Sequence, residues 1–475
     1  MSNKISRWLG PALVVALAVF FMAISSAEAQ IKFSQRGFVM FDYKVGINTS
    51  QVDRNFRKKE SSDFSTTRFR IWNNWRLGEF ANAEWMWEVD TILGVQGPKA
   101  GSPASGGGLR GDRINIETGI ARLDVTIPTT DWHVRIGQQS FFSVLPMLQE
   151  RIPGIKIYKA GGWIKPTIFY LPEEKTFSFP VTTTQRNDDQ IVGAWIDMLP
   201  MKGLKFRPYF MWNNRQNEGA VPGANGPLTK NDFQRADFGF ESEYKAKGWY
   251  VNYLVVGQVG EQDFDNRPSA GAIPTDDRDI GAWASEFGVG YNWGVNTFSF
   301  NFLYRTGQSP RSSSTDGGGG GSGHITGWSP IVGFFANKNR QSQLLTSINQ
   351  HPGFDLEIAD PSGPNNDRDA GWQVFGIWWK RPINKQWNFE LGFSHIQSDK
   401  EIDTDGDFSG DSRVVGEAFD LLVNYKVTKG LTFHTGTAFL IPGDALDAPV
   451  VGSVGRSGDA VCCPWALFTS AILRF

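Results

Sequence analysis

The sequence predicts an all-β fold: a single 18-stranded antiparallel transmembrane β-barrel, with short turns at one end and long loops at the other. Three observations predict it. Apolar and polar residues alternate with period 2 along most of the chain. The connections between the alternating segments are by turns tight and long. Aromatics make up 13% of the 475 residues, with 36 Phe and 18 Trp, yet the mean hydropathy is only -0.31. A helical membrane protein would carry several apolar runs of roughly 18 or more residues, and only the N-terminus approaches one. The 47 Lys+Arg and 49 Asp+Glu nearly balance, so the basic field that a nucleic-acid partner requires is missing. So high an aromatic content excludes a disordered chain.

The first element is an export signal. Lys4 and Arg7 precede an apolar stretch from Trp8 to Ile24, and Ala27-Glu28-Ala29 places small residues at the two positions a signal peptidase reads. Residues 1–29 are expected to be removed before Gln30, leaving 30–475 as the barrel. Loss of Lys4, Arg7 and Glu28 takes the net charge from -2 to -3.

Alternating segments then follow at 32–46, 64–78, 81–94, 114–127, 131–141, 153–160, 163–172, 189–199 and 203–213. The second half adds 234–246, 248–260, 283–293, 295–307, 370–381, 385–398, 413–427, 430–441 and 465–475. In Arg68-Phe69-Arg70-Ile71-Trp72 and Glu84-Trp85-Met86-Trp87-Glu88 the charges share one phase. A soluble sandwich would alternate as well. Length separates the two, because a tilted strand needs about 9–11 residues to cross a bilayer, whereas soluble strands centre near 5–6. Tight turns such as Pro200-Met201-Lys202-Gly203 and Thr428-Lys429-Gly430 alternate with polar loops, the longest near 308–369. An even strand number places both ends of the barrel on the short-turn, periplasmic side. Trp132, Trp163, Trp249, Trp293 and Trp387 fall where strands meet short turns, as an interfacial aromatic girdle requires.

The last strand, Ala466 to Phe475, ends on phenylalanine and resembles the terminal signature of Gram-negative outer-membrane barrels. The hairpin Ala121-Arg122-Leu123-Asp124-Val125-Thr126-Ile127-Pro128, followed by Val134-Arg135-Ile136-Gly137-Gln138, looks like one that recurs in porins. Strand number and size resemble the 18-stranded group that includes alginate-export channels and substrate-specific porins. The resemblance implies an outer-membrane porin, a passive diffusion channel for small hydrophilic or charged solutes, with no cofactor. It also implies contact with outer-membrane lipid and lipopolysaccharide, insertion by the barrel assembly machinery with Phe475 as its signal, and a monomer or homotrimer. Two alternatives stand beside it: the sheath of a porin-cytochrome electron conduit, and an exporter of an anionic polysaccharide.

If the apolar phase faces lipid, the other phase lines the pore. The basic candidates are Arg36, Lys44, Arg68, Arg70, Arg76, Arg122, Arg135, Lys205, Arg207, Arg235, Arg305 and Lys426. The acidic ones are Asp42, Glu84, Glu88, Asp90, Asp124, Asp237, Glu241, Glu243, Glu286, Glu390 and Asp420. The two sets nearly cancel, unlike the arginine-rich pores of alginate exporters. Arg68, Arg70 and Arg76 lie on a strand whose neighbour carries Glu84, Glu88 and Asp90, so the two ladders are expected to pair. Either these charges mainly neutralise one another, or they set up a field across the pore that orients solutes.

Gly317 to Gly321 with the apolar Trp328 to Phe335 form either a lid or a loop cap. The loop Phe142 to Arg151 is a candidate for narrowing the pore. Asp403, Asp405 and Asp407, with Asp411, cluster hard oxygen ligands of the kind calcium takes, without the full calcium-loop spacing. Cys462-Cys463 leave free thiols or a strained vicinal ring. The five histidines are dispersed, with His133 and His434 expected to face the lumen, and no C-x-x-C-H haem motif occurs. No Ser/His pair or acidic dyad marks an enzyme.

Overall fold

The computed structural model describes residues 31–47, 61–93, 113–140, 151–172, 190–219, 229–264, 278–307, 324–325, 371–402, 412–444 and 465–475. The strands are β1 (Ile31–Ile47), β2 (Ser61–Leu77), β3 (Ala81–Leu93), β4 (Arg113–Thr126), β5 (Trp132–Ser140), β6 (Arg151–Lys159), β7 (Ile164–Pro172), β8 (Gln190–Met201) and β9 (Leu204–Gly219). They continue as β10 (Thr229–Ala246), β11 (Trp249–Phe264), β12 (Arg278–Trp293), β13 (Asn296–Arg305), β14 (His324–Ile325), β15 (Trp372–Pro382), β16 (Trp387–Ile402), β17 (Ser412–Lys426), β18 (Leu431–Pro442) and β19 (Trp465–Arg474). Each long strand pairs antiparallel with its sequence neighbours, and β1 pairs with both β2 and β19, which closes the sheet. The result is the 18-stranded antiparallel barrel expected from the sequence. The export signal, the long loop 308–369 apart from His324–Ile325, the calcium candidates Asp403, Asp405, Asp407 and Asp411, and both cysteines lie outside the described residues.

The two-residue β14 is an addition. It pairs parallel with Asp279 and Ile280 of β12, where pairing with β13, which begins only at Ala284, has left an edge free. Closure is completed beyond β19 by two backbone hydrogen bonds: Gly37 N donates to Phe475 O at 2.9 Å and Phe475 N to Gly37 O at 3.0 Å. A closed sheet leaves no unpaired edge, the condition for placing strands in hydrocarbon.

The two sheet faces differ in chemistry. Large apolar residues of one phase are exposed around the outside, including Phe41, Trp85, Trp87, Phe210, Phe238, Trp283, Phe300 and Ile377. The other phase points inward and is largely buried. Trp163, Trp249, Trp293 and Trp387 are exposed at the short-turn end. The turn between β10 and β11 is two residues long, with Lys247 (φ 49°) and Gly248 (φ 87°) both left-handed, matching the twist of the strands it joins.

A bulge in β4 shifts the phase. Trp87 pairs with Thr118 and Met86 with Ile120, so Gly119 is skipped. Ile116 is consequently 72% exposed and Ile120 only 7%, although both positions are even. Below the bulge, Arg122 and Asp124 take the inward phase.

Candidate functional site: the lumen wall

Cross-strand register decides which inward charges meet. Arg68 lies opposite Asp90 and Arg70 opposite Glu88. Arg68 donates to both carboxylate oxygens of Asp90, at 2.8 and 2.9 Å, the two-pronged geometry a guanidinium favours. It also reaches Glu88 at 2.9 Å, and Arg70 donates to the same Glu88 oxygen at 2.6 Å. Glu88 is 1% exposed, so its charge is retained by two arginines rather than by water.

The third rung of the expected ladder does not form. Arg76 lies opposite Asn82, and Glu84 lies opposite Asn74. Glu84 is held from the other side by Arg122 of β4, directly across from it. Arg76 makes only a 3.3 Å bond to Gly78 O. Arg68, Arg70 and Arg76 are spaced two and six residues apart, whereas Asp90, Glu88 and Glu84 are spaced two and four, so the register that pairs the first two rungs leaves Glu84 two residues short of Arg76.

Asp124 is the hub of the next cluster. It accepts from Tyr158 Oη at 2.7 Å, Arg135 Nε at 2.6 Å and His133 Nδ1 at 3.1 Å. The His133 and Tyr158 rings stack at 4.9 Å and 16°. Further round, Arg207 donates to Asp197 at 2.5 Å and approaches Glu241 at 3.5 Å, while Lys205 reaches Asp197 at 3.5 Å. Arg235 donates to Asp237 at 3.1 Å, and Gln258 donates to the same carboxylate at 2.8 Å. On the far wall, Lys380 reaches Glu390 at 3.0 Å. Asp42, Glu286 and Asp420 share the inward phase and are buried. Arg305 and Lys426 share it too, as do Glu243 and both His133 and His434. The side chain of Lys44 lies outside the described residues.

Aromatic rings interleave with these cations. Arg36 lies 5.6 Å over Trp72, Arg70 5.7 Å over Phe38, and Lys156 and Arg207 each 5.9 Å from Trp195. Holding a cation over a ring orients it without neutralising it. Inward cations concentrate on β1–β10, whereas the wall from β11 to β19 carries far fewer.

Inward residues missing from the sequence candidates include Lys32, Lys156, Tyr158, Lys165, Asp197 and Lys380. Ile155-Lys156-Ile157-Tyr158 alternates, so the phase of Lys156 and Tyr158 was readable. That of Asp197 was not, because Ile191-Val192-Gly193-Ala194-Trp195-Ile196 is apolar in both phases. That stretch belongs to an inward apolar patch of Phe169, Leu171, Ile191, Trp195, Met211 and Val256. Among the described residues, no group of three or more His, Cys, Asp or Glu is placed to hold a metal.

The barrel matches solved structures along nearly its whole length. The outer membrane protein OpdK of Pseudomonas aeruginosa superposes with a TM-score of 0.50 at 10% identity, covering 94% of this chain and 99% of that one. OccAB4 of Acinetobacter baumannii gives 0.51 at 9% identity, over 94% and 99%. OccAB3 of the same organism gives 0.51 at 11% identity, over 94% and 100%. No protein-family model and no curated protein matches the chain. Identities near one residue in ten carry the fold and nothing finer, and this chain has the fold of the outer-membrane Occ and Opd barrels.

Proposed function

We propose that the protein is a passive outer-membrane channel for small hydrophilic or charged solutes. The observation that carries the reading is the contrast between the two faces of one closed sheet. Outward residues are apolar and aromatic, while inward residues include charges that would each cost about 2–4 kcal/mol facing lipid at the midplane, for arginine or lysine. Such a wall does no chemistry on its solute. It replaces part of the hydration shell with guanidinium, carboxylate and amide groups, and the narrowest radius sets what passes.

The lumen residues Arg36, Arg68, Arg70, Arg122, Arg135, Lys205, Arg207 and Arg235, with Glu84, Glu88, Asp90, Asp124, Asp237 and Glu241, line the path in this reading. Eight of the eleven acidic candidates lie on β1–β10 as well, and most cations there are ion-paired, which favours mutual neutralisation over a field across the pore. A sheath around a cytochrome needs a wide lumen, and the tight burial of Met86, Val256, Ile396 and Leu440 on the inner wall speaks for a crowded one. Near-balanced inward charge speaks against export of a polyanion. The chain would enter the membrane through the assembly machinery and contact lipid and lipopolysaccharide with its aromatic outer face.

Single-channel recording in a planar bilayer tests the reading. Discrete conductance steps with a reversal potential under a salt gradient are expected. Reconstituted, heat-modifiable barrels that never conduct would overturn it.

A further inference from the structure

Lys32 and Arg76 face each other directly in the register between β1 and β2, and both occupy the inward phase. Like charges placed directly opposite destabilise a sheet. Elsewhere on this wall, Arg68, Arg70, Arg122, Arg135, Lys205, Arg207 and Arg235 each sit within ion-pair distance of a carboxylate. Lys32 and Arg76 do not. Among the described residues, Arg76 bonds only to Gly78 O and Lys32 to nothing.

Both cations open onto a cavity of about 470 Å³ at the short-turn end of the lumen. Ser34, Asn74, Asn82 and Thr126 add neutral polar groups to its wall. Two carboxylates also line it. Asp124 is already engaged by Tyr158, Arg135 and His133, and Glu79 is exposed on the turn and forms no ion pair with Arg76. A ligand that satisfies this wall brings about two negative charges for the cations and hydroxyl groups for the neutral polar side chains Ser34, Asn74 and Thr126.

The geometry points to a binding station for a phosphate monoester of a small polar molecule at this mouth of the barrel. A phosphoryl group carries close to two charges at neutral pH and three acceptor oxygens. Arg76 offers a planar fork to two of those oxygens and Lys32 a point charge to the third, the complementary ways in which these side chains bind phosphate. A bare phosphate ion would leave most of the cavity unfilled, so a hydroxylated body attached to it occupies the remainder, against Ser34, Asn74 and Thr126. The position is inside the barrel, which excludes a bilayer headgroup.

The test is equilibrium binding to the barrel in a phosphate-free detergent, which needs no conduction and so stands or falls apart from the channel reading. The probes are glycerol 3-phosphate, inorganic phosphate and acetate, followed by calorimetry or by broadening of the phosphorus resonance. Saturable binding of glycerol 3-phosphate is expected, at least tenfold tighter than acetate in the wild type. Lys32→Gln and Arg76→Gln should each weaken it at least tenfold, while Lys385→Gln and Lys429→Gln on the turns leave it unchanged. Binding of inorganic phosphate as tight as that of the ester would keep the phosphoryl site and replace its occupant by the free ion. Equal binding by wild type and both lumen variants, or acetate binding as tight as glycerol 3-phosphate, would overturn the proposal. The wild-type contrast between phosphate ester and acetate decides the matter even if a variant fails to fold.

Discussion

Phe475 lays its ring over Gly37. The two residues exchange both backbone hydrogen bonds, and a side chain at Gly37 would collide with the Phe475 ring and with Arg70 O. The ring also stacks on Phe69 at 6.3 Å. The last residue of the chain thus seals the seam between the first strand and the last, with an aromatic covering a glycine that has no side chain of its own.

Closure of this seam makes two substitutions informative. Gly37→Val should cost about 1–3 kcal/mol by overpacking. Phe475→Asp should slow insertion further, since a carboxylate replaces the ring at the lipid-facing seam. Heat-modifiable mobility on gels measures both, and normal folded fractions for Phe475→Asp would contradict the role of the ring.

The wall ladder separates into unequal rungs. Arg68 and Arg70 share Glu88, so their removal should be non-additive, with a coupling of about 0.5–3 kcal/mol in a double-mutant cycle. Replacing Arg68, Arg70 and Arg76 together by Ala should shift the channel toward cations, most visibly at low salt, where screening is weak. Reversal potentials across a tenfold salt gradient check this, and an unchanged potential would place these arginines away from the conducting path.

Asp124→Asn removes the charge on which Tyr158, Arg135 and His133 converge. The loss should destabilise the barrel by about 1–3 kcal/mol, the cost of weakening a buried, charge-assisted network. It should also free Arg135 and raise anion preference. Denaturant unfolding and reversal potential report the two effects separately.

Topology gives the simplest check. A tag near Gly319 should be reached by antibody on intact cells, and one at Lys202, in the turn between β8 and β9, should not. Labelling at Lys202 without permeabilisation would invert the orientation.

The sequence by itself determined the barrel, its eighteen long strands and the inward phase of most of its charges. Inside the bilayer each strand must show lipid an apolar face on alternate residues, and that period is legible one strand at a time. The same reasoning explains where the reading stopped short. β9, β10, β11, β12 and β16 each run four to six residues past the alternation, through Gln216-Asn217-Glu218, Lys230-Asn231-Asp232, Gln262-Asp263, Arg278-Asp279 and Lys400-Glu401. Beyond the hydrocarbon neither face needs to be apolar, so the pattern ends while the ladder of backbone bonds continues. Only the tertiary structure decided the register. It moved Glu84 from Arg76 to Arg122, set Lys32 against Arg76, and turned the apolar strands β7 and β8 so that Asp197 meets Arg207. A pleat fixes which side of the sheet a residue faces, but which residue stands opposite depends on the offset between strands, and turn, bulge and closure set that offset together.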